Sequence, residues 1–505
     1  MNIEMARRTI AAVRSLGVTD FCVCSGSRNA PLLAVLGITK SVRLHSFVDE
    51  RSAAFFALGI AKRQGRPACV VTTSGTAVAE LLPAAVEAYY SGTPLVLLTA
   101  DRPSRFRGTG APQAIEQDVI FGGYATRHIE VWDGASPLHL NVEFDEPLID
   151  GDVIESDASW PLRMHARATP SSDPVRIDFE QPVVIVGGLA EDDRPAVRDF
   201  LVRLNAPVYA EPLSGLREDA ALRELLVAND RLLGRGRFDG IVRVGAVPTL
   251  RFWRDLDEKP IDLPVLNFSR TRFPGLSRGE VHPIESLPET QPRPRNAEFL
   301  QHDREMRERV DRVIDAEPES ELALLRALSL QLPAAARVYL GNSLPVREWD
   351  LAATREPRGF AIEANRGANG IDGQLSTFFG WCAQSANNVA IVGDLTALYD
   401  MNAPWIASRL DAGFRIVIIN NEGGRIFERV GGLRTLGREV RERVIDNAHA
   451  LRFAPWAEMW SLDYSWASQL PAPIPSQPEV REVIEVVPDA EASRRVWARY
   501  DALWA

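Results

Sequence analysis

Short apolar runs recur along this chain, each stopped by glycine or a polar cluster and followed by a stretch with apolar residues at helical spacing. Near the start, the pattern predicts a helix over 3–15, a strand over 20–24, a helix over 30–36, a strand over 43–48 and a helix over 53–63. A strand over 68–73, a tight turn at Ser74-Gly75-Thr76, a helix over 77–90 and a strand over 94–100 continue the alternation, and 137–147 reads as a closing strand. Strict alternation of this kind implies a doubly wound parallel sheet. Every strand end predicted to lie on its ligand-binding edge carries a polar cluster.

Residues 149–174 mix Gly, Asp, Ser and Pro without periodicity and read as a linker. The pattern then resumes with strands over 183–186, 207–210 and 239–244 and a helix over 194–204. Gly187-Gly188 follows a strand, but the full dinucleotide fingerprint is absent, so this part reads as structural. Residues 286–318 are polar, with a charged helix between Pro-containing ends. A third alternating part begins near Glu319, with strands over 338–340, 389–392, 414–419 and 483–487, and with 360–363 leading into a polar stretch from Asn365. Helices are expected over 403–410, 453–460 and 490–503, and 427–444 reads as a lid-like segment. The expected fold is therefore α/β, with three doubly wound parallel-sheet domains at 1–150, 181–318 and 319–505 and a linker over 151–180.

Composition narrows the function. The chain has 505 residues, 46% of them apolar, which suffices for several buried cores. Its net charge of −11 argues against nucleic-acid and anionic-membrane partners. No apolar run approaches the roughly 20 residues of a membrane helix, and Met1-Asn2-Ile3-Glu4 lacks a signal-peptide layout. Cys22, Cys24, Cys69 and Cys382 form no disulfide or zinc pattern, and Cys22-x-Cys24 falls on a predicted buried strand. A reduced, cytoplasmic protein is expected. Its lysines are only Lys40, Lys62 and Lys259; arginine, the better fork for carboxylates, carries the remaining positive charge.

The chemistry concentrates in residues 388–427. Two apolar runs joined by a predicted helix make a βαβ unit, one strand ending at Gly393-Asp394 and the other at Asn420-Asn421. Both strands of such a unit end on one sheet edge, so Asp394 and Asn421 should arrive side by side. Asp394 offers a charged oxygen, Asn421 an amide oxygen, and the following glycines leave a backbone carbonyl approachable. Mg²⁺ takes few protein oxygens and completes its shell with phosphate oxygens. Gly423-Gly424-Arg425-Ile426-Phe427 is expected to open a helix whose free N–H groups favour phosphate. Gly-Asp and Asn-Asn are also ordinary turn residues at strand ends. Glu50, at the start of a predicted helix, likewise has an ordinary reading as an acid stabilised by the helix dipole.

Gly393-Asp394, 25 intervening residues, then Asn420-Asn421 resembles the thiamine-diphosphate (ThDP) motif of the pyruvate-decarboxylase-like superfamily. Gly-Asp-Leu-Thr-Ala-Leu-Tyr-Asp-Met-Asn from Gly393 and Asn-Asn-Glu-Gly-Gly-Arg-Ile-Phe from Asn420 resemble one family within it, the SEPHCHC synthases of menaquinone biosynthesis. Asp49-Glu50-Arg51-Ser52 is similar to the segment supplying that family's cofactor-activating glutamate, and Ser25-Gly26-Ser27-Arg28-Asn29 to its substrate loop. Thr73-Ser74-Gly75-Thr76-Ala77, and Thr99-Ala100-Asp101-Arg102-Pro103 followed by Gln113, are similar to further site loops. Segments around Ser343, Arg347, Arg366, Ile371 and Ser376 extend the resemblance.

It implies pyrimidine-binding (Pyr), central and diphosphate-binding (PP) domains of the ThDP-dependent decarboxylase-like fold. Asp394, Asn421 and the Gly423 carbonyl would hold Mg²⁺ or Mn²⁺. Gly393, Leu395, Thr396, Gly424, Ile426, Phe427 and Ser376 would hold the cofactor, with Ile371 beneath it and Glu50 activating it. Ser27, Arg28, Arg102, Gln113, Arg251, Ser343, Arg347 and Arg366 would meet the carboxylates of 2-oxoglutarate and isochorismate. The superfamily shares its site between subunits, which implies a homodimer or homotetramer.

Two positions depart from the family. Phe252 replaces one of two adjacent basic residues beside Arg251, and Glu422 stands where a small polar residue is usual. The nearest rival is another ThDP-dependent 2-oxo acid decarboxylase or carboligase, usually marked by Gly-Asp-Gly where this chain has Gly-Asp-Leu. A non-catalytic nucleotide-binding relative is the other.

Overall fold

The computed structural model describes residues 1–153, 175–259, 261–467 and 473–505. Of the expected linker, 154–174 lies outside the described residues.

Three parallel sheets form the architecture. The first holds β1 (Asp20–Cys24), β2 (Arg43–Phe47), β3 (Ala68–Thr72), β4 (Leu95–Asp101) and β5 (Pro137–Glu143), in the order β2-β1-β3-β4-β5. The second holds β6 (Pro182–Val186), β7 (Val208–Ala210), β8 (Gly240–Val244), β9 (Val265–Ser269) and β10 (Val281–Pro283), in the order β10-β9-β8-β6-β7. The third holds β11 (Arg337–Leu340), β12 (Ala361–Glu363), β13 (Asn388–Gly393), β14 (Phe414–Ile419), β15 (Asp463–Ala467) and β16 (Arg481–Val486), in the order β12-β11-β13-β14-β16-β15. The order doubles back in each sheet, as a doubly wound fold requires. β1, β3, β4, β6, β8 and β14 are buried along their whole length. Helices cover both faces of such sheets, so their strands are continuous apolar runs and not alternating ones.

The chain forms two compact units. One comprises the described residues of Met1–Ala168 with Asn365–Gln384 and Thr396–Ala412, and contains the first sheet. The other comprises the described residues of Thr169–Ala364 with Ser385–Leu395 and Gly413–Ala505, and contains the second and third sheets.

Three helical expectations need correction. The stretch 77–90 is two helices, Thr76–Ala79 and Leu82–Ser91, because Pro83 has no N–H to continue the ladder. After β13 the chain turns at once into the helix Asp394–Tyr399, and 403–410 is only a 3₁₀ segment, Ala403–Arg409, with Pro404 in its first turn. Gly423–Phe427 opens no α-helix. Gly423 adopts φ +133°, and only the 3₁₀ turn Arg425–Arg429 follows, so no row of free helical N–H groups forms there.

Within the first unit, the helix Glu50–Gln64 is buried on all sides from Ser52 to Ala61 and crosses the helix Gln374–Trp381. The backbones approach so closely that a Cβ on Gly59 would lie 2.0 Å from the Thr377 oxygen, and one on Gly380 would lie 2.0 Å from the Phe56 oxygen. This contact fixes the helix that begins at Glu50.

Candidate functional site

In the second unit, the β13–β14 register pairs Gly393 with Ile419, so Asp394 and Asn420-Asn421 leave the sheet at one edge. Asp394 is 2% exposed. Its Oδ1 accepts from Leu395 N at 2.6 Å and its Oδ2 from Gly423 N at 2.9 Å, with His449 Nε2 at 3.3 Å. Burial pushes its pKa up, against the pull of those donors. The two strand ends are thus joined through Asp394 and Gly423.

Asn420 is structural: Nδ2 donates to Leu451 O at 2.9 Å and Glu485 Oε1 at 2.6 Å. Asn421 differs. Its Nδ2 donates to Glu321 Oε1 and Oε2 at 3.2 and 3.0 Å, while its Oδ1 is buried without a hydrogen-bond partner. An unpaired buried acceptor costs about 1–3 kcal/mol, and the position invites a donor or a cation. Gly423 has no space for a side chain, since a Cβ would stand 2.6 Å from Asp446 O. Glu422 turns toward Arg452, with Oε1 accepting from NH2 at 3.0 Å.

Among the described residues no group of three or more His, Cys, Asp or Glu is placed to hold a metal. One carboxylate, one free amide oxygen and the carbonyl of a side-chain-free residue make a sparse, hard-oxygen set. That set fits an ion sharing its shell with a phosphate ligand better than a closed protein cage. A cavity of about 360 Å³ reaches the set at Asn421 and is lined by Glu321, Asn421, Arg425, Arg429 and Trp497 among others, but not by Asp394 or Gly423. Ile426 and Phe427 are half-buried in the 3₁₀ turn beside it. Glu321 and Glu348, both buried, lie carboxyl to carboxyl, and burial pushes both pKa values up.

In the first unit, Asp49 caps the helix, its Oδ1 accepting from Ser52 N at 3.1 Å, and Glu50 is the first helical residue. Glu50 is half-buried; desolvation, with Asp49 and Glu80 nearby, raises its pKa. Such a carboxyl keeps a proton more readily than an exposed one and can serve as its donor or acceptor. Ser376 Oγ meets Ser52 Oγ at 2.8 Å, two residues along the same helix. Ile371 is half-buried and Thr396 buried. Gly75 N donates to the buried Gln117 Oε1 at 3.1 Å, whereas Gln113 is exposed and reaches Ser74 O at 3.4 Å.

The arginines divide. Arg102 has a buried Nε without a partner, and its guanidinium lies 5.7 Å from the Phe106 ring. Arg28 is buried and donates to Phe144 O at 2.8 Å, with Glu146 at 3.5 Å; Ser27 beside it is exposed. Arg347 is exposed and donates to Ser343 O, on a residue with φ +70°. Arg366 is half-buried. Arg251 begins a helix, Arg251–Glu258, and binds Asp255 and Glu258 of that helix at 2.6 Å each.

Sequence reasoning missed Glu321, Glu348, Gln117, Asp446 and His449. Glu321 follows a capping Ser320 and reads as any first-turn acid; only the fold brings it to Asn421.

Residues 3–120 match the family model described as thiamine pyrophosphate enzyme, N-terminal TPP binding domain. The chain is 38% identical to the 2-succinyl-5-enolpyruvyl-6-hydroxy-3-cyclohexene-1-carboxylate synthase of Bdellovibrio bacteriovorus, over 100% of this chain and 99% of that one. It is 38% identical to the synthase of the same name from Akkermansia muciniphila, over 96% of each chain. Against that of Geobacillus kaustophilus the identity is 33%, over 92% of this chain and 90% of the other.

Proposed function

The chain belongs to the 2-succinyl-5-enolpyruvyl-6-hydroxy-3-cyclohexene-1-carboxylate (SEPHCHC) synthase family, and from that premise we propose that it decarboxylates 2-oxoglutarate and adds the remainder to isochorismate. The products are SEPHCHC and CO₂, a step of menaquinone or phylloquinone biosynthesis. The observations that carry the reading are a buried Asp394 at one strand end and, at the adjoining strand end, a buried Asn421 oxygen without a hydrogen-bond partner.

Thiamine diphosphate, when bound, supplies the acidic thiazolium carbon that attacks a 2-oxo acid and holds the electron pair left by CO₂. The protein's part is to bind, orient and move protons. Asp394, Asn421 and the Gly423 carbonyl would hold Mg²⁺ or Mn²⁺, which would supply positive charge for the diphosphate. Gly393, Leu395, Thr396, Gly424, Ile426 and Phe427 would contact the diphosphate end, and Ile371 and Ser376 would support the rings. Glu50 would hold or give up a proton at its carboxyl oxygen toward the cofactor's pyrimidine ring, a task suited to its raised pKa. Arg28, Arg102, Arg347 and Arg366, with Ser27, Gln113 and Ser343, receive the substrate carboxylates. Arg251 joins them only by leaving Asp255 and Glu258.

Residues 1–150, 181–318 and 319–505 act as Pyr, central and PP domains, with 151–180 as the linker. The enzyme works in the cytoplasm as a twofold dimer or dimer of dimers, a reading supported by four buried, unbridged cysteines and by the family's symmetry. The test is to mix the purified protein with ThDP, Mg²⁺, 2-oxoglutarate and isochorismate. CO₂ and the adduct are expected; turnover of pyruvate in preference to 2-oxoglutarate, or no CO₂ at all, overturns the proposal.

A further inference from the structure

An asparagine is an ambiguous cation ligand. Rotating its amide by half a turn exchanges an oxygen that attracts a cation for an NH₂ group that repels it, with almost no change in shape. Something outside the residue must choose. Beside Asn421 that something is visible. Nδ2 faces both oxygens of Glu321, at 3.2 and 3.0 Å. Turned over, the amide would set its oxygen against that carboxyl group and lose the bond. The opposite atom, Oδ1, is buried and has no partner.

Glu321 is itself held in place. It is 4% exposed and opens the helix Glu321–Gln331. Ser320 Oγ caps that helix by accepting from Ala323 N, and Glu321 N donates to Ser493 Oγ at 3.0 Å. Glu348, 0% exposed, packs against its carboxyl group. A side chain so enclosed has little freedom to swing away from Asn421.

We infer that Glu321 is a positioning residue for the cation: it fixes the Asn421 amide so that Oδ1, and not Nδ2, faces the ion. The inference rests on the reading of Asp394 and Asn421 as cation ligands. It predicts a property that packing alone would not produce. The need for Glu321 should vanish when position 421 carries oxygen at both ends of its side chain.

Mn²⁺ in place of Mg²⁺ provides the readout, through the electron paramagnetic resonance signal of free Mn²⁺ titrated with the full-length protein and ThDP. Glu321→Met keeps side-chain length without an acceptor, and should weaken Mn²⁺ binding about 10–100-fold, the usual effect of losing a group that orients a metal ligand. Glu321→Gln, which keeps an acceptor, should recover most of that affinity. In an Asn421→Asp background, Glu321→Met should cost nothing or strengthen binding, since it also removes a repelling carboxylate. Wild-type affinity in Glu321→Met, or an equal loss in both backgrounds, overturns the positioning role. Should Glu321→Met fail to fold, Glu321→Leu, which likewise lacks an acceptor, takes its place in the two backgrounds: an equal loss in both overturns the inference. Wild-type Mn²⁺ affinity in Asp394→Ala would instead overturn the cation site itself.

Discussion

Three residues carry most of the proposed chemistry, and each was legible in the sequence for a local reason. Glu50 follows a capping Asp at a helix start, while Asp394 and Asn421 end apolar runs that belong on neighbouring strands. Glu50→Gln should bind ThDP within a few-fold of wild type while turnover falls by about 10²–10⁴-fold, the usual contribution of a positioned acid–base group; ThDP titration and steady-state kinetics check this together. Illegible were the partners. Arg251 looked available for substrate, but the carboxylates one and two turns on are its own. The amide of Asn421 could not be oriented without Glu321, a hundred positions away.

His139 supplies a prediction away from the site. It is buried, with Nε2 2.8 Å from Thr99 Oγ1, and burial lowers its pKa from the ordinary 6.5 to about 4. Above pH 6.5 it is neutral whether the chain is folded or not, and contributes nothing to pH dependence. Below that, the unfolded chain takes up a proton that the folded one refuses. Stability should therefore fall as pH drops from 6.5 toward 4, by about 3 kcal/mol from this residue. Denaturant melts across that range should show a shallower fall in His139→Phe than in wild type.

At the scale of elements, strands were easier to read than helices. A strand buried on both faces is a plain apolar run, and 414–419 was delimited to the residue. Helix boundaries depended on backbone events that leave weaker marks: Pro83 dividing one helix, and the φ of Gly423 precluding another. The close crossing of Glu50–Gln64 with Gln374–Trp381 had no sequence signature beyond two unremarked glycines. Those glycines now give a test. Gly59→Val places new atoms against backbone that cannot yield, so the thermal midpoint should drop, with a loss of about 1–3 kcal/mol or more typical of overpacking. A valine at Gly37, where a Cβ would meet nothing within 4 Å, is the control and should be far milder.

At the scale of the whole molecule, the three-sheet α/β architecture was readable because strand and helix periodicities alternate throughout. What held the sheets' neighbouring elements together was not, since those contacts join residues far apart in the chain. The assembly is a further expectation at this scale: sedimentation velocity at micromolar concentration should show a dimer or tetramer, and a fully active monomer would contradict the proposed twofold enzyme.

The central claim is that a cation held at Asp394 and Asn421 is what binds the diphosphate. Calorimetric titration of ThDP with Mg²⁺ present, and again after chelation, tests it directly. If the ion links protein to cofactor, Mg²⁺ should tighten ThDP binding by about tenfold or more in wild type and have no effect in Asp394→Ala. ThDP bound equally well with and without Mg²⁺, or tightened equally in wild type and Asp394→Ala, would contradict it.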